Sequence, residues 1–226
     1  FLEYPPTVLP SEGEELIALA KRSGMRYVVG LTHLQGGQHK AVAAYCRGDT
    51  PLGCPRVYQH IFCSGNPISR WYDREELSGG MFVSSLYHYI DEAIDFFGDP
   101  KTVSSTYTVR RTESGVIGSD SGSIQMSFGA GCAAQISYAR GMNRPGVGTR
   151  RVIIFDQGYI VEDATGIRVL TPEGDEELAY DDIDALQVET DFFIETARQG
   201  LGVDASVSHA QRSLVVADEA RRLAIS

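Results

Sequence analysis

Apolar positions recur along this chain with two different periods, and the change from one to the other divides it. In "EELIALAKRSG", Leu16, Ile17, Leu19 and Ala20 fall at helical spacing before Gly24, and Ser11 followed by Glu14 has the form of a capping box. "MRYVVGL" reads as a short buried strand, "QHKAVAAYCRG" as a second helix and "PRVYQHIF" as a return to extended structure. Helix, strand, helix, strand is the back half of an α/β unit.

From Thr102 to Thr171 the period shortens to two. "TVSSTYTVRR", "GSIQMSF", "AAQISYAR", "RRVIIFD", "GYIVED" and "GIRVLT" are strand patterns punctuated by glycine or proline, as a mostly antiparallel sheet requires. Val103, Tyr107 and Val109 alternate in the first of them and are expected on the sheet's outer face, where an apolar stripe calls for cover by a second copy. "DDIDALQVETDFFIETARQG" and "SHAQRSLVVADEARRLA" close the chain as two amphipathic helices, with Ser208 or Asp204 as cap of the last. The fold class is α+β: an open, mostly antiparallel sheet with helices packed on one face, preceded by a partial α/β segment. Residues 1–52 are expected to be the remnant of a Rossmann-type domain and 53–226 a substrate and oligomerisation domain.

Between these regions, Met81 to Phe97 reads as one helix. Leu86, Ile90, Ile94 and Phe97 lie on one side, toward the sheet, and Ser84, His88 and Asp91 or Asp95 on a neighbouring stripe. A histidine held by a carboxylate is a usable acid or base near neutral pH. Two readings stay open, a polar face with a satisfied histidine and a single acid/base histidine in a ligand pocket. Three residues on one continuous helix rarely converge as a nucleophilic triad. Just upstream, Arg70, Trp71 and Tyr72 offer aromatic stacking and a guanidinium donor to a polyhydroxylated ligand, or a tryptophan for the core.

Charge and cysteine content narrow the partners. A formal net charge of −10 disfavours nucleic acid and anionic lipid. No run approaches the ~18 apolar residues of a membrane span. The four cysteines are scattered without a C-x-x-C pair, as in a reducing cytoplasm. His33, His39, His60 and His209 share no metal-ligand spacing and read as surface or strand residues. Gly129 to Ala134 matches G-x-G-x-x-A, with Asp156 ending a later strand, but "AAQISYAR" alternates like a strand, so a turn between strands is preferred to a dinucleotide cradle.

Taken in order, "LEYPPTVLPSEGEELIALAKRSGMRYVVGL", "WYDREELSGGMFVSSLYHYIDEAIDFFG", "VETDFFIETARQG" and "HAQRSLVVADEARRLAIS" resemble the C-terminal two-thirds of the glucose–fructose oxidoreductase / inositol dehydrogenase / rhizopine catabolism family. The resemblance implies a Rossmann domain, an open-sheet substrate domain, and hydride exchange between NAD(P) and a sugar or cyclitol. It also implies a catalytic lysine in Glu-Lys-Pro and an aspartate and histidine in G-G-G-x-x-x-D-x-G-x-H. Here the lysine falls on Tyr4, the first glycine on Ser78, the aspartate on Ser84 and the last glycine on Leu86; the histidine remains as His88.

A tyrosine cannot replace a lysine cation beside a developing alkoxide, and a serine holds a histidine more weakly than an aspartate does. The expectation is therefore a divergent member that works without a cofactor. His88, Tyr4 and Tyr87 would perform elimination, isomerisation or cyclisation, with Arg70, Trp71, Tyr72, Ser84 and Asp91 around a small polar substrate. Two alternatives stand beside it: a subunit or fragment of an NAD(P)-dependent sugar or cyclitol dehydrogenase, and a non-catalytic binding or regulatory protein. A cytoplasmic homodimer or higher homo-oligomer is expected.

Overall fold

The computed structural model describes residues 1–225 except 49, 66–70, 72–73, 130, 142–148 and 201–202. Helix α1 spans Pro10–Ser23. It starts one residue before the expected cap: Pro10 occupies the first turn, where a missing N–H costs nothing, and Glu12 accepts hydrogen bonds from the Val8 and Leu9 amides at 3.2 and 3.0 Å. Gly24 ends it in the left-handed conformation, as expected. Leu2 and Val29 then pair in parallel, followed by α2 (Thr32–Gln35) and α3 (Gly37–Arg47).

The sheet has eight strands: β1 (Pro55–Ser64), β2 (Pro100–Arg111), β3 (Ile117–Phe128), β4 (Ala133–Arg140), β5 (Arg150–Phe155), β6 (Tyr159–Asp163), β7 (Gly166–Thr171) and β8 (Gly174–Glu177). Their order is β2-β3-β4-β1-β5-β6-β7-β8. Every pairing is antiparallel except that of β1 with β4, so the α+β class and open sheet stand, with one parallel seam at the centre. β8 has no apolar alternation to announce it and is exposed throughout.

Helices α5 (Tyr87–Phe97) and α7 (Ala205–Ile225) cover one face. Leu86, Ile90, Ile94, Ile124, Ile136, Ile153 and Leu214 form the main core there, joined by Val42 and Cys46 of α3. A smaller cluster holds Ala20, Tyr27, Val29 and Leu31 against Val207 and Ala210, so α7 belongs to both.

Val103 and Tyr107 pack against the main core, on the helix side, contrary to their expected outward position. The alternate set faces outward and is polar. Its hydroxyls pair across strands, Thr102 with Ser127 at 2.6 Å, Thr106 with Ser123 at 3.0 Å and Thr108 with Ser121 at 2.9 Å. Two of the three residues of the stripe that argued for a covering partner are thus turned to the interior, and Val109 is exposed. Among the described residues no helix is long and apolar enough to cross a membrane.

Candidate functional site

The helix expected from Met81 to Phe97 is interrupted at its start. After the short α4 (Glu75–Ser78), Gly79 and Gly80 both take φ of +71°, and Phe82–Leu86 form a π-helical turn before α5 begins. A wider turn rotates everything preceding it relative to a regular helix. Ser84 therefore leaves the stripe of His88; it is buried, and its hydroxyl donates to the Gly80 carbonyl at 2.6 Å.

His88, half-buried at the start of α5, is hydrogen-bonded through Nδ1 to the Tyr4 hydroxyl. The rings meet edge to face with centroids 4.6 Å apart. The structure thus brings together the two residues placed at the family's lysine and histidine positions. Burial is the main cause that lowers His88 to about 4; the charge of His33 adds to it and that of Asp91 opposes it. Burial likewise raises the Tyr4 phenol, helped by the charge of Asp91. Both groups are uncharged near neutral pH.

Asp91 does not hold His88. It is fully buried, with His33 Nε2 at 2.9 Å from Oδ2, His209 Nε2 at 2.9 Å from Oδ1, and the Ser213 hydroxyl donating to Oδ1. Burial alone would raise its pKa, but the two imidazoles outweigh burial and hold the carboxyl at about 2. His33 and His209, expected on the surface or on strands, are thus half-buried helix residues beside this carboxylate. No local spacing could have announced residues 33, 91 and 209 as neighbours, since three separate helices bring them together.

Tyr87 is fully buried, and its hydroxyl donates to the Ala210 carbonyl at 2.8 Å, which ties α5 to α7. Its ring lies 5.2 Å from that of Tyr4, so it forms a wall of the site. Tyr89 faces the sheet end, 4.2 Å from the His60 ring and 5.4 Å from Phe62, which stacks on Tyr138. His39 and His60 are buried too, both beside Glu92, which is ion-paired with Arg151. Trp71 is 48 % exposed before α4; Arg70 and Tyr72 lie outside the described residues. The Gly129 segment is a hairpin turn: Phe128 donates to the Cys132 carbonyl at 2.8 Å, and β4 follows instead of a helix. It is no pyrophosphate cradle.

The family profile "Oxidoreductase family, C-terminal alpha/beta domain" matches residues 49–182, more than half of the chain. The chain therefore belongs to the glucose–fructose oxidoreductase / inositol dehydrogenase / rhizopine catabolism family of oxidoreductases. Among solved structures, biliverdin reductase from Synechocystis, in complex with biliverdin and NADP+, superposes with a TM-score of 0.87 at 17% identity, over 100% of this chain and 72% of that one. A 3-ketoreductase from Actinomadura kijaniata, in complex with NADP and TDP-benzene, gives 0.81 at 17% identity over 97% and 69%. UDP-N-acetylglucosamine 3-dehydrogenase from Acidithiobacillus ferrooxidans gives 0.77 at 18% identity over 98% and 69%. No curated protein sequence matches the chain.

These relatives correct one expectation. Proteins that share this fold end to end hold NADP+, NADP or, in an Agrobacterium radiobacter oxidoreductase, NAD+, so the inference that the chain dispenses with a cofactor falls. It rested on the expected loss of the dinucleotide site and on the replaced lysine and aspartate, and those two replacements bear on proton handling and leave nucleotide binding untouched.

Proposed function

We propose that this chain is the substrate-binding part of an NAD(P)-dependent oxidoreductase that reduces a conjugated substrate of the linear tetrapyrrole class, with Tyr4 and His88 as its proton-handling pair. The hydrogen bond between the Tyr4 hydroxyl and His88 Nδ1, within a wall of aromatic rings, carries this reading. The overlay with biliverdin reductase along the whole chain supports the substrate class. In this reading the dinucleotide would be held by a unit supplied beside this substrate-binding part.

A bound nicotinamide would supply hydride to an electron-poor carbon of the substrate. What the chain's residues must add is a proton, at a nitrogen or oxygen of the substrate left negative. An uncharged phenol bonded to an uncharged imidazole suits that task. Tyr4 passes its proton to the substrate. His88, with hydrogen on Nδ1, replaces that proton as Nε2 takes one from solvent. Burial of the pair limits side reactions with water.

The test is titration of the chain with biliverdin, followed by absorbance and Trp71 fluorescence, with NADPH-linked reduction assayed in a protein that joins this chain to a dinucleotide-binding unit. Saturable binding to the chain is expected. Tyr4→Phe should retain binding and, in the joined protein, lose about 10²-fold or more in reduction rate, the usual weight of a general acid. Binding of a nucleotide-sugar in place of biliverdin would overturn the substrate class and favour the sugar-dehydrogenase alternative.

A further inference from the structure

His33 takes no part in the chemistry above, yet it connects the Tyr4–His88 pair to the interior. It lies in the single turn of α2, stacked on the Tyr4 ring with centroids 4.7 Å apart and planes at 19°. It stands edge-on to His88 at 5.7 Å. Its Nε2 lies 2.9 Å from the Asp91 carboxylate. Neither ring nitrogen has a partner in hydrogen-bond geometry.

We propose that His33 is a positioning residue: set beside Asp91 through Nε2, it holds the Tyr4 ring by stacking and keeps the shared proton off His88. The inference rests on the reading of Tyr4 and His88 as the proton-handling pair.

The electrostatic reason is local. Asp91 stays ionised throughout the neutral range. Positive charge on His33 opposes protonation of His88. The other charges facing the pair act differently. Glu189 of α6 (Ala185–Gln199) and Glu3 favour retention of the Tyr4 proton, while His209 lies behind Asp91 on α7. Tyr87 flanks the pair as a neutral phenol. His33 is thus placed to keep His88 neutral.

The experiment follows the imidazole nitrogens of the full 226-residue chain by long-range nitrogen–proton NMR across pH 3 to 8, in wild type, His33→Gln, His33→Phe and Ser213→Ala. Wild-type His33 is expected as the Nε2–H tautomer at neutral pH when uncharged. Both His33 variants should raise the His88 midpoint by about half a pH unit or more, because a neighbouring positive charge is gone. His33→Phe should keep the Tyr4 ring resonances near their wild-type positions, and His33→Gln should not. Ser213→Ala, which touches Asp91 but not His33, should leave His88 in place. An unmoved His88 in both His33 variants, an Nδ1–H tautomer in the wild type, or an equal shift in Ser213→Ala would overturn the proposal.

His33 is partly exposed, so its variants are expected to fold, and circular dichroism checks this. The readout does not involve turnover. A failure to bind biliverdin with the His88 shift intact would sink the functional reading alone.

Discussion

Asp91 and His209 meet at 2.9 Å between α5 and α7, where the carboxylate has no exposed surface. With Ser213 on α7 and His33 on α2, they join three helices through one buried charge. Asp91→Ala should cost about 3–5 kcal/mol, since it strands two imidazoles and a hydroxyl. Ser213→Ala should cost about 1 kcal/mol, the loss of one hydrogen bond. Urea denaturation of both variants checks the ranking, and equal costs would mean that the charge is not the joint.

Glu92 is the other buried carboxylate of α5. It is ion-paired with Arg151 of β5 and accepts a hydrogen bond from Tyr58 of β1. The Arg151 cation outweighs burial and holds Glu92 well below the carboxylate range. Glu92→Ala should destabilise by about 3–5 kcal/mol, whereas Glu92→Met with Arg151→Met should recover most of that loss, because both buried charges leave together. A double variant no better than the single one would contradict this.

Acid should weaken the fold through His88. Its folded value is about 4 against an ordinary 6.5, so between these values the unfolded chain binds the extra proton and stability rises with pH. Lowering pH from 7 to 4 should remove roughly 3 kcal/mol through this one group, and His88→Gln should flatten that part of the profile. Asp91 acts lower: its contribution is present above the unfolded value of 3.8 and is lost as pH falls through about 2. Urea midpoints at stepped pH separate the two, and parallel profiles for wild type and His88→Gln would count against the burial of His88.

The two glycines before the π turn differ in what surrounds them. A Cβ on Gly79 would lie 2.5 Å from that of Val83, whereas at Gly80 the nearest atom is the Glu75 Cγ at 3.3 Å. Both have positive φ, so each alanine costs about 1 kcal/mol from backbone alone. Gly79→Ala should lower the melting temperature distinctly more than Gly80→Ala, since it must also displace Val83.

The architecture was largely legible because burial imposes period. Alternation in "AAQISYAR" and "GIRVLT" marked β4 and β7, and Gly24 marked the end of α1. β8, "GDEE", escaped because an exposed edge strand buries no side chain and so leaves no alternation. Which face of β2 turned inward was misjudged for a related reason. Threonine and serine alternate there as regularly as valine and tyrosine, and only the cross-strand hydroxyl pairs show that the polar set faces out.

The site was legible where it followed the chain and illegible where it followed packing. Tyr4 and His88 could be brought together by family resemblance, and the structure bonds them. Asp91, three residues beyond His88, looked like its partner by helical spacing. The wheel places it on a neighbouring line instead, toward His33 and His209, whose positions depend on how α2 and α7 dock. The π turn was equally invisible, since five residues of a wider helix carry no composition of their own.

The parallel seam between β1 and β4 has a kinetic consequence. On one side β2, β3 and β4 are joined by successive hairpins, and on the other β5 to β8 are likewise. Each half can close locally, within a few tens of residues. β1 alone joins them, pairing Val57 with both Ala133 and Ile154. Its loop closures are long and carry the largest entropic cost. The two meanders can therefore zip early, and the strand that precedes both in the chain becomes the last to be seated, making its insertion the step that commits the sheet to the native state.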